Sequence, residues 1–138
     1  EPSRVQAVVE RDPKFGTDIY ASVKADFGDF EMSFYCSTQM ALRQLMVFHG
    51  EKGFIEVTAP FNAGDYGHPV ITLHNRDHEE AQTYRFPGVR QSRLQAEAFV
   101  RKARGSDDEI FTLEQSVLNQ KFIDAVYRAS AHDGWENV

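Results

Sequence analysis

Apolar and polar side chains alternate along two neighbouring stretches near the start of the chain. From residue 19 to residue 27 every second side chain is apolar, and the alternation resumes from residue 30 to residue 37. A period of two residues is typical of a β-strand that buries one face. Gly28 and Asp29 separate the two stretches and suit a two-residue hairpin turn. The pattern therefore predicts an antiparallel hairpin, preceded by a first strand over residues 5–11.

Four more short apolar stretches follow, each bounded by turn-forming residues. Gly50 and Gly53 can supply positive φ at no steric cost between the first two stretches, and a charged turn over residues 75–80 separates the last two. The segment 60–69 is rich in Gly, Asn and Asp, so we predict a loop there. The four predicted strands cover residues 42–49, 54–58, 70–74 and 82–86.

The hydrophobic period then changes from two residues to that of a helix. A first helix is predicted from about Ser92, with Gly105 as its C-terminal cap, on the spacing of Ala96, Phe99, Val100 and Ala103. A second helix begins at the capping-box pair Thr112 and Gln115. Its apolar stripe, which Gly134 ends, consists of Leu118, Phe122, Ala125, Val126 and Ala129.

Many antiparallel strands followed by two helices predict an α+β fold: a large, open, mainly antiparallel sheet with the helices packed on one face. The other face is then short of cover. The hairpin carries Tyr20, Met32, Phe34 and Tyr35 on both of its faces, so we expect the uncovered face to be partly apolar. Because an open apolar sheet face usually meets another protein surface, we expect a homo-oligomer formed through the open sheet.

Length, composition and charge exclude several classes of protein. The 138 residues fit a single domain spanning 1–138, and 41% apolar with 26% charged residues is ordinary for a globular protein. No apolar run approaches the ~18 residues of a membrane helix. The formal net charge of −6 would repel a phosphate backbone, so we expect no nucleic-acid partner and no membrane span. We expect a cytoplasmic protein.

Candidate chemistry in the sequence is sparse. His74 and His78 are four residues apart, but ligands at that spacing suit a helix and this segment is predicted to be a turn, so we favour solvated polar residues over a metal site. The acidic run 107–109 is interpreted as a solvated loop rather than a cation site. Cys36 is the only cysteine and is predicted to be a buried, inert thiol. There is no Gly-x-Ser-x-Gly elbow and no Walker loop.

The closing segment resembles the C-terminal end of the Gfo/Idh/MocA oxidoreductases. The residues that carry the resemblance are Ile123, Asp124, Ala125, Tyr127, Ser130, Ala131 and Gly134. The segment FHGEKGFIEVTAPF and the helix SRLQAEAFVRKARG, with Phe99 and Gly105, are similar to further parts of the family pattern. One residue departs from it, since many relatives have Tyr where this chain has Ser92.

The resemblance implies that this chain is the C-terminal domain of a longer enzyme. Family members carry an N-terminal Rossmann domain that binds NAD or NADP, and the Gly-x-Gly-x-x-Gly fingerprint of that fold does not occur here. The family's Glu-Lys-Pro and Asp-x-x-x-His motifs do not occur either. We therefore assign no catalytic residue, no cofactor-binding residue and no metal ligand, and expect this fragment to bind no cofactor.

The role that the resemblance leaves for this chain is one wall of a substrate pocket and the oligomer interface. The substrate-wall candidates are Arg90, Gln91, Ser92 and Gln95 at the entry of the first helix, followed by Tyr66 and His68 in the long loop. The alternative for each is an ordinary exposed polar residue.

Two functions remain open at this stage. The first is the C-terminal domain of an NAD(P)-dependent oxidoreductase that acts on a sugar, an inositol or a related polyol; the fragment alone is expected to be inactive. The second is a stand-alone, non-catalytic sheet module that binds a ligand or a partner protein. The chain begins at Glu1 without an initiator Met, which favours the first and predicts an N-terminal Rossmann domain in the same polypeptide.

Overall fold

The computed structural model describes residues 1–63 and 67–138. Within these residues there are eight strands and two helices, and contacts divide the chain into two compact units, residues 1–41 with 111–138 and residues 42–110. The elements are β1 Arg4–Arg11, β2 Asp18–Asp26, β3 Glu31–Ser37, β4 Leu45–Gly50, β5 Gly53–Thr58, β6 Val70–Asn75, β7 Ala81–Arg85, α1 Gln91–Ala103, α2 Leu113–Ala129 and β8 Glu136–Asn137. The predicted α+β class is confirmed, with the strands arranged in two four-stranded sheets.

The first unit contains an antiparallel sheet in the order β3-β2-β1-β8. Asp26 pairs with Glu31, and the amide of Phe27 donates to the carbonyl oxygen of Phe30 at 3.0 Å. Gly28 and Asp29 are therefore the two turn residues. The hairpin predicted from the alternation is confirmed.

Helix α2 covers one face of this sheet with small side chains. Ala125 and Ala129 of the helix and Val5 and Ala25 of the sheet are fully buried. Ala7, Val23 and Val126 complete the buried cluster. Because most of these side chains end at Cβ or one carbon beyond, the helix backbone can approach the strands closely, and the predicted apolar stripe of α2 is confirmed.

Both ends of α2 are held by polar contacts. At its start, the Thr112 hydroxyl accepts from the amide of Gln115 at 3.2 Å, and the Gln115 side chain accepts from the amide of Thr112 at 2.8 Å, which confirms the predicted capping box. Near its end, Arg128 Nε donates to Glu136 Oε1 at 2.8 Å, and this guanidinium lowers the pKa of Glu136. Glu136 belongs to β8, a strand of two polar residues that gives no hydrophobic signal in the sequence.

Residues that follow α2 return to the opposite face of the sheet. The Arg4 guanidinium carbon lies 4.6 Å from the ring centroid of Trp135, and Lys24 Nζ lies 5.8 Å from it. A cation over an indole ring is attracted by the electron-rich face. This contact and the β1–β8 pairing fix the C-terminal end of the chain to the first sheet.

Large side chains of the hairpin lie on both faces of the first sheet. Met32 and Phe34 face α2: Met32 packs against the buried cluster, and the Phe34 and Phe122 ring centroids are 6.5 Å apart. The uncovered face keeps Tyr20 and Tyr35 among mainly polar residues. The predicted burial of Cys36 is wrong: it is exposed, because β3 is the outermost strand whereas α2 packs chiefly on β1.

The second unit is built on an antiparallel meander in the order β4-β5-β6-β7. The β4–β5 turn requires glycine at position 53, which has φ 152°. A Cβ atom there would lie 2.1 Å from the carbonyl oxygen of His74 in the neighbouring strand. Gly53 therefore allows β5 and β6 to pair up to the end of the strand.

The two faces of the second sheet differ in chemistry. The apolar face has two rungs across the four strands, Met46–Val57–Ile71–Tyr84 and Phe48–Ile55–Leu73–Gln82. The mixed face has three rungs, Leu45–Thr58–Val70–Arg85, Val47–Glu56–Thr72–Thr83 and His49–Phe54–His74–Ala81. Among the described residues of this unit, the strands make extensive contacts with one another but not with α1, so that helix covers neither face of the sheet.

Helix α1 belongs to the second unit and has no buried residue. The apolar side chains predicted to form its inner stripe are exposed, Phe99 at 61% and Val100 at 45%. Gly105 directly follows the C-cap residue Arg104, as predicted for a helix that ends on glycine. In the described part of the chain, neither helix is long and apolar enough to cross a membrane.

Replacing Ala125 by leucine tests how closely α2 approaches the first sheet. We expect Ala125→Leu to lower the free energy of unfolding by about 1–3 kcal/mol, because a fully buried Cβ has no room for three further carbons. Ala96→Leu adds the same atoms at an exposed position of α1 and is the matched control, with little expected change. Urea titration followed by circular dichroism measures both variants, and equal costs would contradict the close packing.

Candidate functional site

Four of the predicted substrate-wall residues line one hollow at the start of α1. The hollow has a volume of ≈ 490 Å³, and its walls are residues 63, 68, 69 and 88–93. The loop side contributes His68, and the helix side contributes Arg90, Gln91 and Ser92. Residues more than twenty positions apart in sequence thus meet around one space.

The end of the second sheet brings these two segments together. The amide of Phe86, directly after β7, donates to the carbonyl oxygen of Pro69, directly before β6, at 3.2 Å. Pro87 and Gly88 then turn the chain into α1, and Gly88 does so at φ 75°, a conformation that glycine adopts without steric cost. The site is therefore positioned by strand pairing on one side and by a Pro-Gly turn on the other.

The hollow is electropositive on its helix side. Arg90 is the N-cap residue of α1, and no side chain caps this helix. The N–H groups of a first helical turn have no partner within the helix and carry the positive end of its dipole. Arg93 is paired with Glu97 at 2.6 Å, whereas Arg90 has no ion-pair partner among the described residues. Arg90 is thus the cation that can contact a ligand in this hollow.

A second hollow of ≈ 520 Å³ adjoins the first. Gln91 lines both, and Gln95 lines the second one. Its other walls include Phe86 and Leu94, exposed by 41% and 54% respectively. The sequence interpretation missed these two apolar side chains. An aromatic residue directly before Pro-Gly and a leucine in the first turn of a helix were the signals that could have indicated them.

The remaining candidate, Tyr66, lies outside the described residues. Of the six candidates, His68, Arg90, Gln91 and Ser92 share one hollow and Gln95 lies next to it. The five described candidates are exposed on the surface. The role of all six in substrate binding stays a prediction.

The far end of α1 is held by an ion pair. The guanidinium of Arg101 donates to Asp108, from Nη2 to Oδ1 at 2.8 Å and from Nε to both carboxylate oxygens at 3.1 Å. The Ser106 hydroxyl also donates to Asp108. Hydrogen bonds from Arg101 and Ser106 lower the pKa of Asp108 to about 2. The acidic segment 107–109 was interpreted as a solvated loop, but its central carboxylate fixes the chain that leaves α1.

Of the two histidines interpreted as solvated residues, His78 is exposed whereas His74 is largely shielded. The turn between them is confirmed, and their ring centroids lie 4.9 Å apart. The side chain of His74 is only 13% exposed. Within residues 1–63 and 67–138, no three His, Cys, Asp or Glu side chains are arranged to hold a metal ion.

Comparison with known proteins gives one curated relative at substantial identity. This chain is 34% identical over 142 residues to an uncharacterised oxidoreductase of Rhizobium meliloti. The match covers all of this chain and 42% of that protein, so the chain spans about two-fifths of the length of the relative. No protein-family model matches the chain.

Solved structures share the fold at low identity. An aldose-aldose oxidoreductase from Caulobacter crescentus, crystallised with glycerol, matches with a TM-score of 0.80 at 15% identity, over 100% of this chain and 42% of that one. A super-repressor mutant of Gal80p from Saccharomyces cerevisiae matches with a TM-score of 0.70 at 13% identity, over 100% of this chain and 45% of that one. The fold that the resemblance implied is thereby confirmed, and the chain spans less than half the length of these proteins.

Proposed function

We propose that this chain, which has the fold of the C-terminal domain of Gfo/Idh/MocA-type oxidoreductases, forms the substrate-facing wall and the oligomer interface of an NAD(P)-dependent sugar or polyol dehydrogenase. The observation that carries the proposal is the hollow at the start of α1, which gathers Arg90, Gln91, Ser92 and His68. The active polypeptide is longer than this chain, and its N-terminal part is a Rossmann domain. Its cytoplasmic location stays a prediction.

The chemistry of the two adjoining hollows suits a polyhydroxylated substrate. Arg90 donates only, whereas the amide of Gln91 and the hydroxyl of Ser92 both donate and accept, which matches the hydroxyl groups of a sugar. Phe86 and Leu94 offer apolar surface to the C–H face of the same molecule. Ser92 stands where many relatives have Tyr, so its smaller hydroxyl leaves more room beside Gln91.

The described residues do not fit a dinucleotide. A dinucleotide site needs a glycine-rich turn between a strand and a helix, with the pyrophosphate at the helix N-terminus. Here β1 runs through a short turn into the antiparallel β2, so a strand and not a helix directly follows β1. In the proposed enzyme, a nicotinamide held by the N-terminal domain would supply the hydride chemistry, and the residues of this chain would bind and orient the substrate.

The alternative function is a stand-alone, non-catalytic module that binds a ligand or a partner protein. The likeness to Gal80p supports this alternative, because the same fold occurs there in a super-repressor mutant. A fold alone does not fix a function. The likeness to the Rhizobium meliloti oxidoreductase at 34% identity favours the first proposal.

The oligomer interface is assigned to the apolar face of the second sheet. In a twofold-symmetric interface the same surface patch of both subunits is buried, so a charged side chain there loses its water and requires an opposite charge on the partner. The apolar face carries no charged residue, whereas the mixed face carries Glu56 and Arg85. Phe48 and Leu73, exposed by 57% and 43%, gain cover on self-association. The mixed face is left for the rest of the polypeptide.

Nucleotide binding tests whether the cofactor site lies outside this chain, in the rest of the longer polypeptide. We expect titration with this chain to leave NADH fluorescence unchanged, because it lacks a phosphate-binding turn. The natural polypeptide that contains this chain is expected to give a saturable change. Saturable binding by this chain alone would overturn the domain assignment, and a natural polypeptide of the same length as this chain would favour the stand-alone module.

Replacing Arg90 tests the substrate wall in the longer polypeptide. We expect Arg90→Ala to reduce kcat/KM with the best sugar or polyol substrate by about ten- to a hundredfold, since a charged hydrogen bond contributes roughly 1.5–3 kcal/mol. NADH affinity should be unaffected. Arg104→Ala removes the same charge just after the other end of α1 and is the matched control. An equal loss of kcat/KM in both variants would contradict a specific role of Arg90 in substrate binding.

A lysine on either side of β6 tests which face of the second sheet associates. We expect Ile71→Lys, on the apolar face, to convert the oligomer to a monomer, because it buries an unpaired charge on each side of an apolar interface. Thr72→Lys is the control on the mixed face, next to Glu56 in the adjacent strand. Sedimentation equilibrium measures the mass of each protein. A monomeric parent chain, or an effect of Thr72→Lys alone, would contradict the assignment.

A further inference from the structure

Four aromatic rings meet on the mixed face of the second sheet. His49 of β4, Phe54 of β5 and His74 of β6 form one rung across three strands, and His78 joins them from the β6–β7 turn. The ring centroids of His74, His78 and His49 lie 4.3, 5.4 and 5.7 Å from that of Phe54. Three imidazoles therefore surround one phenyl ring.

His74 is held mainly by ring packing. It stacks on Phe54 with 11° between the ring planes, and His78 meets it edge-on at 70°. Both ring nitrogens of His74 are shielded from solvent and make no hydrogen bond to any described residue. Its Nε2 lies 3.3 Å from Glu56 Oε2, which is within ion-pair distance but is not aligned as a hydrogen bond. Within residues 1–63 and 67–138, Glu56 is thus the one carboxylate at ion-pair distance from the cluster.

We propose that this imidazole cluster makes the β6–β7 turn a pH-responsive element that opens when the histidines become protonated. Histidine is the side chain that ordinarily changes charge between about pH 5 and 8. A first imidazolium at His74 has Glu56 as counter-ion and the face of Phe54 as a cation–π partner. A second imidazolium at His78 lies against the first, with the ring centroids 4.9 Å apart, and the two charges repel.

Other charged groups near the cluster balance three imidazolium charges in number but not at ion-pair distance. Lys52 of the β4–β5 turn and Glu80 line a hollow together with His74. The same turn carries Glu51, and the β6–β7 turn carries Arg76, Asp77 and Glu79. On the mixed face, β7 places Ala81 and Thr83 in the nearest rungs and Arg85 in the farthest. Among the described residues, only Glu56 lies within ion-pair distance of a cluster imidazole, so no carboxylate sits against His78 to relieve its repulsion with His74.

The turn is the part of the cluster with the least support. His78 has φ 58°, a left-handed conformation that non-glycine residues adopt uncommonly. The amide of His78 donates to the Asn75 carbonyl at 3.2 Å, and the Asn75 side chain accepts from the amides of Glu79 and Glu80 at 3.0 and 3.2 Å. When charge repulsion removes the packing of the His78 ring, these exposed hydrogen bonds alone hold the turn closed.

Hydrogen exchange of the turn amides tests this device. Exchange of residues 74–81 is measured by NMR at about pH 8 and about pH 5 and corrected for the intrinsic pH dependence of exchange. In the parent chain, we expect protection of these amides to fall about tenfold at the lower pH. His78→Asn removes the second imidazole and keeps a residue that tolerates left-handed backbone. In this variant we expect protection to change by no more than about twofold.

His68→Asn is the matched control, since it removes a histidine from a loop of the same unit outside the cluster. It should behave like the parent. A second variant, His49→Gln, removes a different imidazole of the cluster and should reduce the fall as well. The proposal is overturned if the parent turn is equally protected at both pH values, or if both cluster variants lose protection as much as the parent does.

Discussion

The close approach of α2 to β1 and β2 is the contact on which the first unit depends. Ala125 and Ala129 lie against strands whose inward residues are also small, and this pairing of small side chains leaves no void for a larger one. Because the helix sits so near the sheet, the chain beyond it can cross the edge of β1 and pair there as β8. The ion pair of Arg128 with Glu136 and the contact of Arg4 with Trp135 then follow from that position.

The second unit is organised differently, by strand pairing in place of a helix-covered core. Gly53 allows β5 and β6 to remain paired to their ends, and the meander presents two faces of unlike chemistry. An apolar face without charges and a mixed face with histidines and Glu56 cannot satisfy the same partner. The proposal that one face meets a second copy while the other meets the rest of the polypeptide follows from this asymmetry.

Much of the fold was predictable from the sequence because the hydrophobic period and the turn-forming residues indicated the same elements. The alternation around Gly28-Asp29 and the capping box at Thr112 each fixed an element to within a few residues. β8 was not predictable, because two polar residues carry no period and their pairing depends on where α2 ends. The burial of Cys36 was wrong for a related reason: alternation assigns the face of a strand but not whether that strand lies at the edge of the sheet.

The site was predictable only in part. The polar residues at the entry of α1 were found because they open a helix, and the family resemblance directed attention to them. Phe86 and Leu94 were missed because an exposed apolar side chain looks like any other in sequence until a hollow forms around it. His74 and His78 were interpreted from spacing along the chain, whereas the ring that gathers them, Phe54, comes from the neighbouring strand.

The position of Trp135 has a consequence for optical studies of this protein. It is the only tryptophan in the chain and lies in the first unit, with a cationic side chain over its ring. Light absorbed by indole is therefore emitted from one unit alone, and the second unit is silent at those wavelengths. A melting curve recorded by tryptophan emission describes the helix-covered half, and only its coincidence with a backbone signal would establish that both halves unfold as one cooperative system.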